Sequence, residues 1–140
     1  MFRGFLLLLV VALMVGCGGN KPLVDKPTFW RTIEGTITYG ERTSLNSGAV
    51  LQVWLLGTER LGAPSETVVS ATISNPGQVP ISFTLDYDPA WIIADHFYTV
   101  RAEIRDRGRL VFMSDRPVLV ELSDKGGTVE LELIRASTRT

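Results

Sequence analysis

Residues 98–113 read YTVRAEIRDRGRLVFM. Tyr98, Val100, Ala102 and Ile104 alternate with Arg101, Glu103 and Arg105, the period-two pattern of a strand with one buried and one wet face. Asp106-Arg107-Gly108-Arg109 closes a hairpin, and Leu110 to Met113 returns as the partner strand. Working outward, the same alternation recurs in both directions. Ile33, Gly35, Ile37 and Tyr39 share a face opposite Glu34, Thr36 and Thr38, and Leu45-Asn46-Ser47-Gly48 turns the chain into Ala49, Leu51, Val53 and Leu55. Val69, Ala71 and Ile73 precede Asn75-Pro76-Gly77, a strong turn because Pro fixes φ and Gly accepts positive φ. Val79, Ile81, Phe83 and Leu85 follow, with Pro80 placed at a strand start or sheet edge because it cannot donate to a ladder. Toward the C-terminus, Pro117 to Leu122 is expected as a further strand, and Asp124-Lys125-Gly126-Gly127 turns into Val129, Leu131 and Leu133.

Between these, Pro89 to Asp95 is expected to hold a short helical turn. About seven to eight short strands, with turns every 8–12 residues, predict an all-β domain: a single antiparallel β-sandwich of Ig-like or Greek-key type. An open barrel is the alternative. Tyr98, placed just after a corner at Asp95-His96, resembles the tyrosine corner of Greek-key sandwiches. The chain shows no repeat, no low-complexity tract and no long amphipathic helix.

The N-terminus has a different character. Arg3 is followed by an apolar run from Phe5 to Val15, about half of the ~20 residues a membrane-spanning helix needs, so a secretory signal fits better. Met14-Val15-Gly16-Cys17 ends the run, and Cys17 is the single cysteine in the chain. The segment resembles the bacterial lipobox, where a small residue precedes the scissile bond and the cysteine thiol accepts lipid. Met14 and Val15 depart from the preferred Leu and Ala or Ser, and Gly16 fits. Four segments are therefore expected: 1–16 lipoprotein signal peptide, 17–29 lipidated N-terminus and tether, 30–136 sandwich domain, 137–140 C-terminal tail. The tether expectation rests on two Gly and two Pro without periodicity in GGNKPLVDKPTF. Gly18 stands where an Asp would resemble an inner-membrane retention signal, so the expected location is the bacterial outer membrane, lipid-anchored on its periplasmic face.

Several segments together resemble the YbaY/YscW-type lipoproteins, a lipid-anchored β-sandwich family that includes a type III secretion pilot lipoprotein. They are Gly35–Tyr39 with Glu41-Arg42, Ser47–Val53, Gly77–Phe83, Tyr87-Asp88-Pro89, His96–Ala102 and Gly108–Asp115. Their order and spacing, over residues 33 to 134, carry the resemblance. It implies the fold and the anchor, and by extension a pilot or assembly role, although a shared fold does not establish function by itself.

Composition excludes several chemistries. The single cysteine forms no intramolecular disulfide, redox pair or thiolate zinc cluster, and the single histidine allows no His-rich metal cage. Lys+Arg number 14 against 15 Asp+Glu, a net charge of -1, which argues against nucleic acid as a partner. No metal, cofactor or small-molecule cofactor site is expected, and no catalytic residue. His96 is the obvious catalytic candidate, with Asp95 beside it and Asp86, Asp88 and Asp115 elsewhere, but no nucleophile accompanies it in a recognisable element. Asp86 and Asp88 read as corner residues bonding nearby backbone amides rather than as a carboxylate pair or a calcium loop. Arg101, Arg105, Arg107 and Arg109, interspersed with Glu103 and Asp106, read as the solvated face of a hairpin.

The anomaly is Val50 to Leu56. With Leu51, Val53 and Leu55 facing the core, Val50, Trp54 and Leu56 face outward, an apolar patch with a Trp that suits a protein partner. The alternative is that Phe29, Trp30 or Trp91-Ile92-Ile93 covers it. The expected function is a non-catalytic lipoprotein held to the membrane through Cys17, whose domain binds an envelope protein. A different reading is a carbohydrate- or peptidoglycan-associated module using Trp91, Tyr87, Asp86 and Asp88, with or without hydrolase activity.

Overall fold

A computed structural model of the chain describes residues 29–137. The expected leader, Cys17 and most of the expected tether lie outside the described residues. Eight strands follow in order: β1 Arg31–Tyr39, β2 Ala49–Thr58, β3 Glu66–Ser74, β4 Ile81–Tyr87, β5 Phe97–Asp106, β6 Arg109–Ser114, β7 Val118–Leu119 and β8 Gly127–Arg135. One short 3-10 turn, Pro89–Trp91, interrupts them within the stretch where a helical turn was expected.

The strands form one hydrogen-bonded sheet in the order β3-β2-β5-β6-β8-β1-β4, with β7 added alongside β5. This corrects the expectation of two packed sheets. The last strand inserts between β6 and β1, pairing antiparallel with the first and parallel with the second, and so joins what would otherwise be two sheets. The end strands β3 and β4 approach each other without a ladder, leaving a barrel that is nearly closed. Purely antiparallel pairing is likewise corrected by β1 and β8, which run parallel from Ile33↔Gly127 to Tyr39↔Leu133. The expected strand from Pro117 to Leu122 shrinks to Val118–Leu119, paired with Val100 and Thr99 of β5, with one further backbone bond from the Val120 N–H to the Tyr98 carbonyl at 2.9 Å.

The alternation fills the interior as anticipated. Ile33, Ile37, Leu51, Val53, Leu55, Val100 and Ile104 have no exposed area, and Leu85, Phe112, Leu131 and Leu133 join them in the core. Gly35 faces inward with no side chain, and the Phe83 ring, directly opposite in register, occupies the space a Cβ would need. Pro80 immediately precedes β4, an end strand of the sheet, so its missing N–H breaks no ladder. Arg107 and Gly108 both take positive φ, 51° and 78°, giving the primed two-residue turn whose twist matches a hairpin.

One end of the barrel is capped. Tyr39 stacks on Phe112 with ring centroids 4.1 Å apart and planes 12° from parallel. The Arg135 guanidinium lies 5.3 Å over the Phe112 ring and chelates the Glu41 carboxylate, with Nε 2.8 and 2.9 Å from the two carboxylate oxygens. Hydrogen bonding from Arg135 holds the Glu41 carboxyl below its usual value.

Burial pushes the Tyr39 hydroxyl above its ordinary value of 10.0, and also that of Tyr87, where nearby Arg31 partly offsets it. A raised folded-state value means the stabilisation is fully present below pH 10 and is lost as pH rises through that value. Alkaline titration followed at 295 nm is expected to show these two phenols ionising late and together with loss of the far-UV β signal. Early, hysteresis-free ionisation of these two phenols in an intact fold would contradict the burial.

Candidate functional site

At the opposite end the barrel opens into a cleft of about 830 Å³, walled by the β2–β3 loop, the start of β3, the β4–β5 connection and Tyr98. Local chemistry holds each wall in place. Thr58 is the buried polar residue of the described chain; its hydroxyl lies 2.9 Å from the Arg60 carbonyl and 3.2 Å from that of Pro64. This folds the loop after β2 back over the strand end. Gly57 allows the approach of the Tyr98 ring, which a Cβ there would meet at 3.0 Å.

The β4–β5 connection is built by caps. Asp88 accepts a hydrogen bond from the Ala90 N–H at 2.9 Å, and Pro89 occupies the first position of the 3-10 turn, where its absent N–H costs nothing. Trp91 then meets Trp30 edge to face at 5.7 Å, tying the connection to the chain entering β1. The Tyr98 hydroxyl accepts from the Ile93 N–H at 2.7 Å. That is the corner bond expected of a Tyr placed there. Removing it by Tyr98→Phe strands a partly buried donor, and a loss of about 1–2 kcal/mol is expected in denaturant unfolding. Faster amide exchange confined to residues 91–96 should accompany it; unchanged exchange there would show that the bond does not position the connection.

The predicted residues distribute unevenly. His96 and Trp91 line the cleft, together with Glu59, Arg60 and Glu66. Asp95 is exposed beside His96. Asp86 accepts from the Thr32 hydroxyl at 2.7 Å and Asp88 is spent on its cap, so this corner is structural, and Tyr87 is buried. Asp115 lies 3.8 Å from Arg116 on the surface, apart from the others. Among the described residues, none of the carboxylates at Asp86, Asp88 and Asp115 lines the cleft with His96. Among the described residues no three His, Cys, Asp or Glu side chains are placed to hold a metal ion.

On the outer face of β2, Trp54 pairs across the ladder with Arg101, whose guanidinium sits 4.6 Å over the indole. Arg101 in turn contacts Glu103 at 3.4 Å. Val50 and Trp54 are half-buried and Leu56 is buried at 9% exposure, so this face is only partly open. Sequence reasoning missed Ile93 and Val68 as cleft residues, and Leu61 exposed on the adjoining loop. Leu61 and Ile93 are lone apolar residues in loops, while Val68 sits at an irregularity in the β2–β3 register.

Residues 30–133 match the family model described as type III secretion system lipoprotein chaperone (YscW). The chain is 29% identical over 112 residues to the uncharacterized lipoprotein YbaY of Escherichia coli strain K12, a match covering 78% of this chain and 55% of YbaY. It thus spans about half the length of that curated relative. A solved structure of an alternative pilotin from the type II secretion system of Vibrio cholerae is similar with a TM-score of 0.70 and 32% identity, covering 78% of this chain and 99% of the pilotin. Matched over nearly all its described residues, and sharing the strand framework, the chain belongs to the YscW family of lipoprotein chaperones.

Proposed function

We propose that this protein is a non-catalytic, lipid-anchored envelope lipoprotein that binds a secretion-system protein and assists its assembly. Cys17 is the residue that receives the lipid after cleavage of residues 1–16, and residues 17–29 tether the domain at the periplasmic face of the outer membrane. The observation that carries the binding role is the cleft: an opening of about 830 Å³ with Val68, Ile93 and Tyr98 in its walls and carboxylates at its margin. A concave site that mixes apolar walls with polar and charged groups suits an amphipathic segment of a protein partner. The matches to a secretion chaperone family and to a pilotin structure support the same class of partner. Tethering adds to the effect by raising the local concentration of domain and partner at one membrane.

The outer face of β2, with Val50, Trp54 and Leu56, is the second contact surface under this proposal. Arg101 over Trp54 and the burial of Leu56 make it the lesser one. No observation favours the carbohydrate-module reading, since Asp86 and Asp88 are engaged locally and Tyr87 is inside.

Crosslinking pull-down of the full lipoprotein from its native envelope tests the cleft when wild type is compared with Thr67→Trp. Thr67 is exposed on the cleft wall, so an indole there fills the space without entering the core. A secretion-system component recovered with wild type and reduced at least tenfold with the variant is the expected result. Equal recovery with both proteins would overturn the site.

A further inference from the structure

Scattered single apolar side chains on a surface need no explanation, but their confinement to one region does. Seven large apolar residues are exposed among the described residues: Phe29, Leu61, Trp91, Ile93, Phe97, Leu119 and Ile134. All but Ile134 lie at the cleft end of the barrel. Phe29 precedes β1 there, Leu61 tops the β2–β3 loop, and Trp91 and Ile93 sit in the β4–β5 connection. Phe97 begins β5, and Leu119 pairs with Thr99, two residues along the same outer face. Trp30, beneath Phe29, is held against Trp91. The far end instead carries Glu41, Arg42, Asp106, Arg107 and Arg135 around its aromatic cap.

The occupant is indicated by where the chain enters. Gly18 to Thr28 are the residues between Cys17 and Phe29, and they join the barrel at this apolar end. Fully extended, such a length spans at most about 40 Å. The barrel wall, measured along a ten-residue strand, is roughly 30 Å. A domain anchored through Cys17 therefore presents its near end to the bilayer without stretching the tether, and its far end only when the tether is almost straight. Trp and Phe side chains, with an apolar body and for Trp a polar edge, are the residues that settle at the headgroup boundary. Glu59, Glu66, Asp88, Asp95, Asp115, Glu121 and Asp124 outnumber Arg31, Arg60, Arg116 and Lys125 at this end, so attraction to anionic headgroups does not drive the contact. Among the described residues no helix is long and apolar enough to cross a membrane.

We infer that the rim of the cleft seats on the lipid surface, with Phe29, Leu61, Trp91 and Ile93 entering the headgroup boundary and the cleft mouth opening at that level. The inference rests on the reading of Cys17 as the anchor, and it deepens the proposed function: the partner segment is met at the membrane surface.

The three Trp residues report on it directly. The full lipoprotein is reconstituted in phosphatidylcholine vesicles whose acyl chains carry bromine quenchers. Where mass spectrometry finds Cys17 without acyl chains, the same protein is coupled through that thiol to a maleimide lipid, so the result is independent of lipidation. Trp54→Phe, retaining Trp30 and Trp91, is expected to lose at least half its emission with a blue shift, equally at low and high salt. Trp30→Phe/Trp91→Phe, retaining Trp54 on the barrel wall, should lose less than a tenth. Equal quenching of both variants, no quenching of either, or a blue shift that follows protein density instead of lipid overturns the seating. A vesicle-bound protein that shows no quenching yet still releases its partner on Thr67→Trp leaves the partner site standing, and the reverse pattern removes that site alone.

Discussion

Gly126→Ala is expected to cost about 2–5 kcal/mol and to bring the domain toward its unfolding threshold. Gly126 is buried in the turn before β8 with φ at 96°, a region L-residues avoid, and its N–H and carbonyl are both bonded to Ser123 at 2.9 Å. A Cβ there would fall inside contact distance of the Thr32 carbonyl oxygen. The left-handed conformation contributes about 1–2 kcal/mol and the overlap about 1–3 more. Against a total stability of about 5–15 kcal/mol that is a large share. The overlap has no easy relief: Ile33 and Gly127, the neighbours of the clashing pair, are partners in the β1–β8 ladder. Gly62→Ala is the control, since Gly62 has a similar φ of 84° and open space around it. Urea unfolding should place Gly62→Ala near the cost of conformation alone; equal effects at the two sites would refute the steric contribution.

Phe112→Ala is the second large effect, expected at about 3–5 kcal/mol from lost burial and the cavity left behind. The ring is 2% exposed, stacked on Tyr39 and roofed by Arg135. Its removal takes away one face of the Tyr39 contact and the platform beneath the Glu41–Arg135 pair. Near-UV circular dichroism should lose Tyr intensity, and Phe112→Leu should recover more than half of the stability. An Ala variant no less stable than Arg135→Ala would show that the stack contributes little.

Much of the framework was legible because burial alternates wherever a strand has one dry face. Ile33 to Tyr39, Leu51 to Leu55 and Tyr98 to Ile104 all place inside the residues their period assigns there. Turn chemistry was equally local: Asp88 capping Ala90, and Arg107-Gly108 at positive φ, depend on residues a few positions apart. Two packed sheets and one nearly closed sheet, however, share the same inside–outside pattern. What separates them is the pairing of β8 with both β6 and β1, a long-range choice that no window of sequence contains. The cleft was hidden for the same reason. Ile93 and Ala63 lie in irregular segments and come to one cleft because Thr58 at the end of β2 is in register with Phe97 at the start of β5. Period places Leu56 on the outward strand face, yet its side chain is buried, which period alone does not encode.

The position of β8 has a consequence for biogenesis. A nascent chain emerges N-terminus first, so β1 and β4 can pair, and β2, β3, β5 and β6 can pair, long before residues 127–135 exist outside the machinery that delivers them. Until then the molecule is two half-sheets with bare edges, each an invitation to aggregate. The last strand to arrive is the one that makes them a single body, and a chain stopped short of Gly127 is held permanently at that unprotected stage.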